Sequence, residues 1–191
     1  MREENSNPKR DYYITMILMS VLSILFLALT LMNLYKLFTD LTPQDLHTIK
    51  GVITSEPKII EGRDQDIIKI KLKSIAYFTF VIQHPAIIAT KKNTFIDEVQ
   101  RYDTIEVDIK KSEYELKILR TKGSSMLHPI NYGFIQVFGL RKDKSTYLSL
   151  DEYNKVCDEE ATYTWWVCLI ISIGLMIWIY FERKKYKTKY P

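Results

Sequence analysis

Three histidines (His47, His84 and His128) and two cysteines (Cys157 and Cys168) are the side chains best able to hold a metal or attack a substrate. A metal site needs its ligands at short, repeated spacings. No two of the histidines stand that way, and none lies beside a cysteine. His84-Pro85 and His128-Pro129 read as loop positions at strand ends, where a lone histidine needs no ligand to explain it. The run Gly123-Ser124-Ser125-Met126-Leu127 offers hydroxyls but lacks the G-x-S-x-G spacing of a nucleophile elbow. No glycine-rich phosphate loop occurs. The residues therefore predict no catalytic set, no cofactor and no metal, and the chain reads as a non-enzyme.

Lys69, Lys71 and Lys73 lie close to Tyr77, Phe78 and Phe80. Basic side chains interleaved with aromatics can form a platform on which single-stranded nucleic acid stacks. Nucleic-acid domains are usually basic overall, and the stretch between residues 13 and 181 is not. The stripe is better read as the solvated face of a strand, and no nucleic-acid partner is expected.

Two apolar blocks must position whatever lies between them. Tyr13 to Tyr35 carries no charged residue, and at 1.5 Å per residue it extends roughly 35 Å as a helix, enough to cross a bilayer core. Thr162 to Phe181 is likewise uncharged and long enough. A bilayer offers no water to backbone polar groups, so both blocks must be helices. Tyr12, Tyr13 and Tyr35 on the first, and Trp165, Trp166, Trp178, Tyr180 and Phe181 on the second, are the amphipathic rings that favour the membrane–water boundary. The first block is too long for the apolar region of a signal peptide. Neither block contains an ionisable residue of the kind that marks an ion or proton path.

Charge gives the orientation. Residues 1–12 and 182–191 together hold eight basic and four acidic residues, while the rest of the chain balances 19 against 19. The whole formal charge of +4 thus sits on the tails. Its carriers are Arg2, Lys9, Arg10, Arg183, Lys184, Lys185, Lys187 and Lys189. Basic residues beside a span resist translocation, so the expectation is both tails in the cytoplasm of a bacterial inner (cytoplasmic) membrane. The sequence divides into a tail (1–12), a transmembrane helix (13–35), an extracytoplasmic β-rich domain (36–161), a second transmembrane helix (162–181) and a second tail (182–191). Cys157 and Cys168 would then lie on opposite sides of the interface and could not bridge.

The central region shows strand periodicity. Ile68, Ile70 and Leu72 alternate with Lys69, Lys71 and Lys73, and Ile105, Val107 and Ile109 alternate with polar neighbours. Further strands are expected at 48–55, 75–82, 115–121, 131–140 and 145–150, with a hairpin turn at Arg141 to Lys144. Thr94 with Asp97 suggests an N-cap for a short helix over 95–101. Ser149 with Glu152 fits the capping box S-x-x-E and opens a second helix at Leu150, either continuous with the second span or joined to it through 157–162. The predicted fold class is two transmembrane helices flanking a small, mainly-β, OB-like or related barrel domain with two short helices.

Gly51-Val52-Ile53 opens the first strand, and Arg101-Tyr102-Asp103-Thr104-Ile105-Glu106-Val107 opens a later one, with Tyr102 where a glycine would be usual. In these short motifs and in its order of elements, the chain resembles uncharacterised bacterial two-pass membrane proteins with a small OB-like β-barrel domain between the spans. The resemblance implies a barrel and no activity. The expected function is a non-catalytic, membrane-anchored binding protein at the outer face of the inner membrane, such as an immunity-type or envelope-complex subunit. Its partners would be the bilayer and either another protein or further copies of itself through the spans. The alternative is a ligand-triggered, membrane-perturbing effector of antiphage defence with the barrel as sensor, and it requires the opposite orientation.

Overall fold

The computed structural model describes residues 8–62, 65–119 and 133–189. The expectations for Arg2, Ser124, Ser125 and His128 lie outside them. The chain forms two compact units: one comprises residues 1–39 and 158–191, the other residues 40–157.

The first unit is a helix pair. Helix α1 spans Pro8–Lys36, and helix α5 spans Leu150–Lys189 and contributes its part from Asp158 onward. Both are long and apolar enough to cross a membrane. They run antiparallel: the rings of Tyr12 and Tyr186 stack with centroids 3.8 Å apart, and the Ser172 hydroxyl lies 3.5 Å from the Ser23 carbonyl oxygen. On α1 the buried residues Met16, Ser23 and Thr30 recur every seventh position. On α5 they are Ala161, Cys168 and Ser172. A seven-residue repeat keeps one narrow seam of each helix facing its neighbour, and small side chains let the backbones approach. Ser20 and Thr30 hydroxyls donate to carbonyls one turn back, at Met16 and Phe26, so no polar group is stranded. Outside the seam the apolar side chains point outward: Ile17, Leu18, Val21, Ile24 and Ile170 are all more than half exposed. Such a surface suits hydrocarbon rather than water.

The second unit is a mixed sheet of seven strands: β1 (Leu46–Val52), β2 (Lys58–Ile60), β3 (Ile67–Ile70), β4 (Thr79–Ile82), β5 (Thr104–Lys110), β6 (Phe134–Lys142) and β7 (Ser145–Leu148). The path runs β1-β5-β6-β4-β3-β2, with β7 also on β6. All pairings are antiparallel except β4 with β6. The path does not close, so the barrel expected from sequence is an open sheet. A single bridge, Ile53 to Leu72, joins the chain just past β1 to the chain just past β3.

Short helices α2 (Ala86–Ala89) and α3 (Lys92–Glu98) connect β4 to β5, and α4 (Lys111–Glu113) runs on into a π-helical turn at Tyr114–Ile118. The alternation of β3 and β5 is realised: Ile68, Ile70, Ile105, Val107 and Ile109 are essentially inaccessible. They join Phe80, Phe95, Ile135, Leu140 and Tyr147 in one core.

Several expectations need correction. Of the strand expected at 115–121, residues 115–119 are not extended and the last two lie outside the described residues: Lys117 donates to Glu113 and to the carbonyl of Phe134, holding the helical turn against β6. The segment 75–82 is extended only from Thr79, because a 3-10 turn occupies Lys73–Ile75. Helix α3 starts at Lys92 with Lys91 as its N-cap, so Thr94 lies inside it. The helix opened by Ser149 needs no correction: of the two courses left open for it, the continuous one is realised. It continues as α5 for 40 residues, and its N-terminus is held by the Glu152 N–H on the Ser149 hydroxyl (3.2 Å), which in turn donates to the Glu152 carboxylate (3.0 Å).

Candidate functional site

Thr48, Asp108 and Gly139 stand in one cross-strand row over β1, β5 and β6. The next row is Lys50, Glu106 and Arg141. The strands place Asp108 with its flank covered, and it is 7% exposed. Both of its hydrogen bonds fall on Oδ1, from the Thr48 hydroxyl at 2.6 Å and from Arg141 Nη2 at 2.9 Å. Oδ2 lies over Gly139, where a Cβ would sit 2.9 Å from the Asp108 Cγ and closer still to Oδ2. The absence of a side chain at 139 is what makes room for the carboxylate. A bulge at the same place gives β6 one extra residue: Asp108 faces Gly139 while Ile109 faces Val137. Val137 and Leu140 can therefore both point into the core, and Phe138 turns out to pack edge-on against Tyr153 of α5, centroids 5.1 Å apart.

Arg141 also reaches Glu106 (Nε to Oε2, 3.6 Å), and Glu106 meets Lys50 at 3.4 Å. Thr48, Asp108 and Arg141 form the floor of a cleft of about 300 Å³. Thr146, Leu148, Ser149 and Leu150 wall one side, and Pro43 and Leu46 the other. Asp108 and Arg141 are held to each other by a charge-assisted hydrogen bond, which makes the floor a fixed polar surface. Around it stand two hydroxyls, Thr146 and Ser149, and several aliphatic side chains. A small molecule or one side chain of a partner fits such a space.

The sites expected from sequence are not gathered here. His47 stacks on Tyr114 with centroids 3.6 Å apart, and His84 follows β4. Among the described residues no group of three or more His, Cys, Asp or Glu side chains could hold a metal ion. No disulfide joins Cys157 and Cys168, which sit on the same helix roughly 16 Å apart along its axis. Of the lysine–aromatic stripe, Phe80 is fully buried and Phe78 nearly so, while Tyr77 is 96% exposed.

The helix pair does bring several expected residues together. Tyr12 and Tyr13 meet Tyr186 at one end, and Lys9, Arg10, Arg183, Lys184, Lys185 and Lys187 occupy that end. Lys189 is the last residue of α5. Tyr13, Tyr35, Trp166, Trp178 and Tyr180 are exposed, and Tyr12 and Trp165 are half-buried. Tyr186 was missed from sequence because it lies among lysines, beyond the apolar block.

The Asp108–Arg141 floor was missed as well. A signal was present, since Glu106 and Asp108 share one face of an alternating strand, but its cation lies 33 residues away. Tyr102 has φ 75°, in the left-handed region that favours glycine. Neither the known protein families nor the curated proteins include a match to this chain.

Proposed function

We propose that the chain is a two-pass membrane protein, non-catalytic, whose sheet unit is a binding module displayed at the outer face of a bacterial inner membrane. The observation that carries this reading is the helix pair. Its apolar side chains face outward along residues 13–35 and 163–181, and its antiparallel packing sets Lys9, Arg10, Arg183, Lys184, Lys185 and Lys187 at one end. Cations flanking a span hold that end in the cytoplasm, and the chain between the two spans is then carried across. Within the sheet unit the cleft over Asp108 and Arg141 supplies the ligand or partner site.

Orientation is the test. In a Cys157→Ser, Cys168→Ser background, Lys144→Cys in the β6–β7 turn and Lys185→Cys on α5 each provide one reactive thiol. With the outer barrier opened, a membrane-impermeant maleimide should label position 144 in intact cells and reach position 185 only after lysis. The reverse pattern would refute this reading and favour the alternative, a membrane effector that senses a cytoplasmic ligand.

A further inference from the structure

Strands β2 and β3 carry an unneutralised row of cations. Lys58 and Lys69 are direct cross-strand partners, so two ammonium groups face one another where opposite charges would stabilise the sheet. Lys71 follows on the same face, and Lys73 begins the turn beyond it. All four are exposed. Four other lysines of the sheet unit are paired: Lys50 with Glu106, Lys92 with Asp66, Lys117 with Glu113, and Lys142 with Asp103. None of the four on this face has an ion pair among the described residues, although residues 13–181 contain as many acidic as basic side chains.

Apolar surface lies beside the cations. Phe134 is 43% exposed with the Lys69 ammonium 5.6 Å from its ring centroid, Ile60 is 42% exposed, and Tyr77 projects from the turn leading into β4.

We propose that this face docks an extended acidic segment of a partner protein, one whose carboxylates recur at every second residue. In an extended chain, residues two apart are about 6.8 Å from one another, so alternate carboxylates would match the spacing of Lys69 and Lys71. Phe134, Ile60 and Tyr77 flank that row of carboxylates, and the intervening side chains of the segment point away from the face. The balanced charge of the region gives no long-range positive field, which favours a short-range peptide fit over a nucleic-acid backbone. The proposal concerns a face other than the Asp108 cleft and does not depend on which side of the membrane the sheet unit occupies.

The test uses the full chain in detergent and a fluorescein-labelled octapeptide alternating glutamate and leucine, with binding read by anisotropy. A glutamine–leucine octapeptide and an octameric oligothymidylate serve as comparisons. Saturable binding of the acidic peptide is expected, weakening as salt rises. The Lys58→Glu, Lys71→Glu double variant should bind about tenfold more weakly, each lost charge pair counting modestly. That variant replaces the repulsive 58–69 pair with an attractive one, so its melting midpoint should equal or exceed that of the native chain, separating lost binding from lost fold. Lys71→Glu alone gives a second reading, with about a threefold loss. Three results would overturn the proposal: equal binding of the glutamine peptide, binding unmoved in both variants, or tighter binding of the oligothymidylate.

Discussion

Replacing Gly139 with alanine puts a methyl group where the Asp108 carboxylate lies. The new Cβ would stand 2.9 Å from Cγ and 3.0 Å from Cβ of Asp108, closer than real Cβ atoms tolerate. Gly139 is on a central strand held by β5, so the aspartate must move. Its movement breaks the hydrogen bonds from Thr48 and Arg141. Hydrogen bonds to a charged group contribute about 1.5–3 kcal/mol, and overpacking costs about 1–3 kcal/mol more. The Arg141 side chain is 39% exposed, so water can take over part of its role, which argues for the lower end, about 3 kcal/mol in all. With a urea slope of about 1.5 kcal/mol/M, the unfolding midpoint of the sheet unit should fall by about 2 M. Pulse proteolysis of the full-length protein in detergent reads that midpoint without requiring the helix pair to unfold. The mechanism also predicts coupling: Asp108→Ala removes Oδ2 and Cγ, so the double variant should be less destabilised than the sum of the singles by more than about 1 kcal/mol. A Gly139→Ala midpoint within about 0.3 M of the native value, or strict additivity, would refute the steric reasoning.

Tyr102 adopts φ 75°, a conformation that costs an L-residue about 1–2 kcal/mol, so Tyr102→Gly should be tolerated while Tyr102→Val, β-branched, should be about 2 kcal/mol less stable than the glycine variant in the same unfolding assay. Burial of Tyr147, reinforced by the Glu98 carboxylate that accepts its hydroxyl proton at 2.8 Å, raises its pKa to about 12. Its folded pKa lies above the unfolded value near 10, so its contribution is complete below that pH and is lost as pH rises towards 12. Tyr147→Phe should therefore flatten the fall in stability across that window, and an unchanged alkaline limb would contradict it. Asp103 behaves oppositely: the Lys142 ammonium and then the Gln100 N–H lower its pKa, so its contribution is present above the usual carboxylate range and fades as pH falls, and Asp103→Asn should blunt acid unfolding. In the helix pair, cysteines at 12 and 186 in a background without Cys157 and Cys168 should be joined by a short bis-maleimide, and Ser172→Phe, which wedges a seam where the native residue is fully buried, should reduce that cross-link.

Local signals were enough for the helices and for most strands. An uncharged run of more than twenty residues has one stable form in hydrocarbon, and the period-2 patterns of β3 and β5 fix which side chains face the core before any partner is chosen. The Ser149–Glu152 capping signal likewise marks a helix start within four residues. Where the chain next to a pattern decides, the sequence was misleading: 115–121 has the apolar spacing of a strand, yet Glu113, Lys117 and the backbone of β6 hold residues 114–118 as a helical turn.

What tertiary structure alone decided is long-range partnership. Strand order, the parallel β4–β6 pair and the openness of the sheet depend on which edges meet, and a strand's own residues do not encode its neighbour. Asp108, Gly139 and Arg141 became one floor only because β5 and β6 pair across a bulge that puts an absent side chain opposite a carboxylate. Lys58 and Lys69 became a repelling pair only through their register. Composition sets what each residue can do with water or lipid; which charges confront or neutralise one another is fixed by packing, because electrostatic energy depends on distance in space and not along the chain.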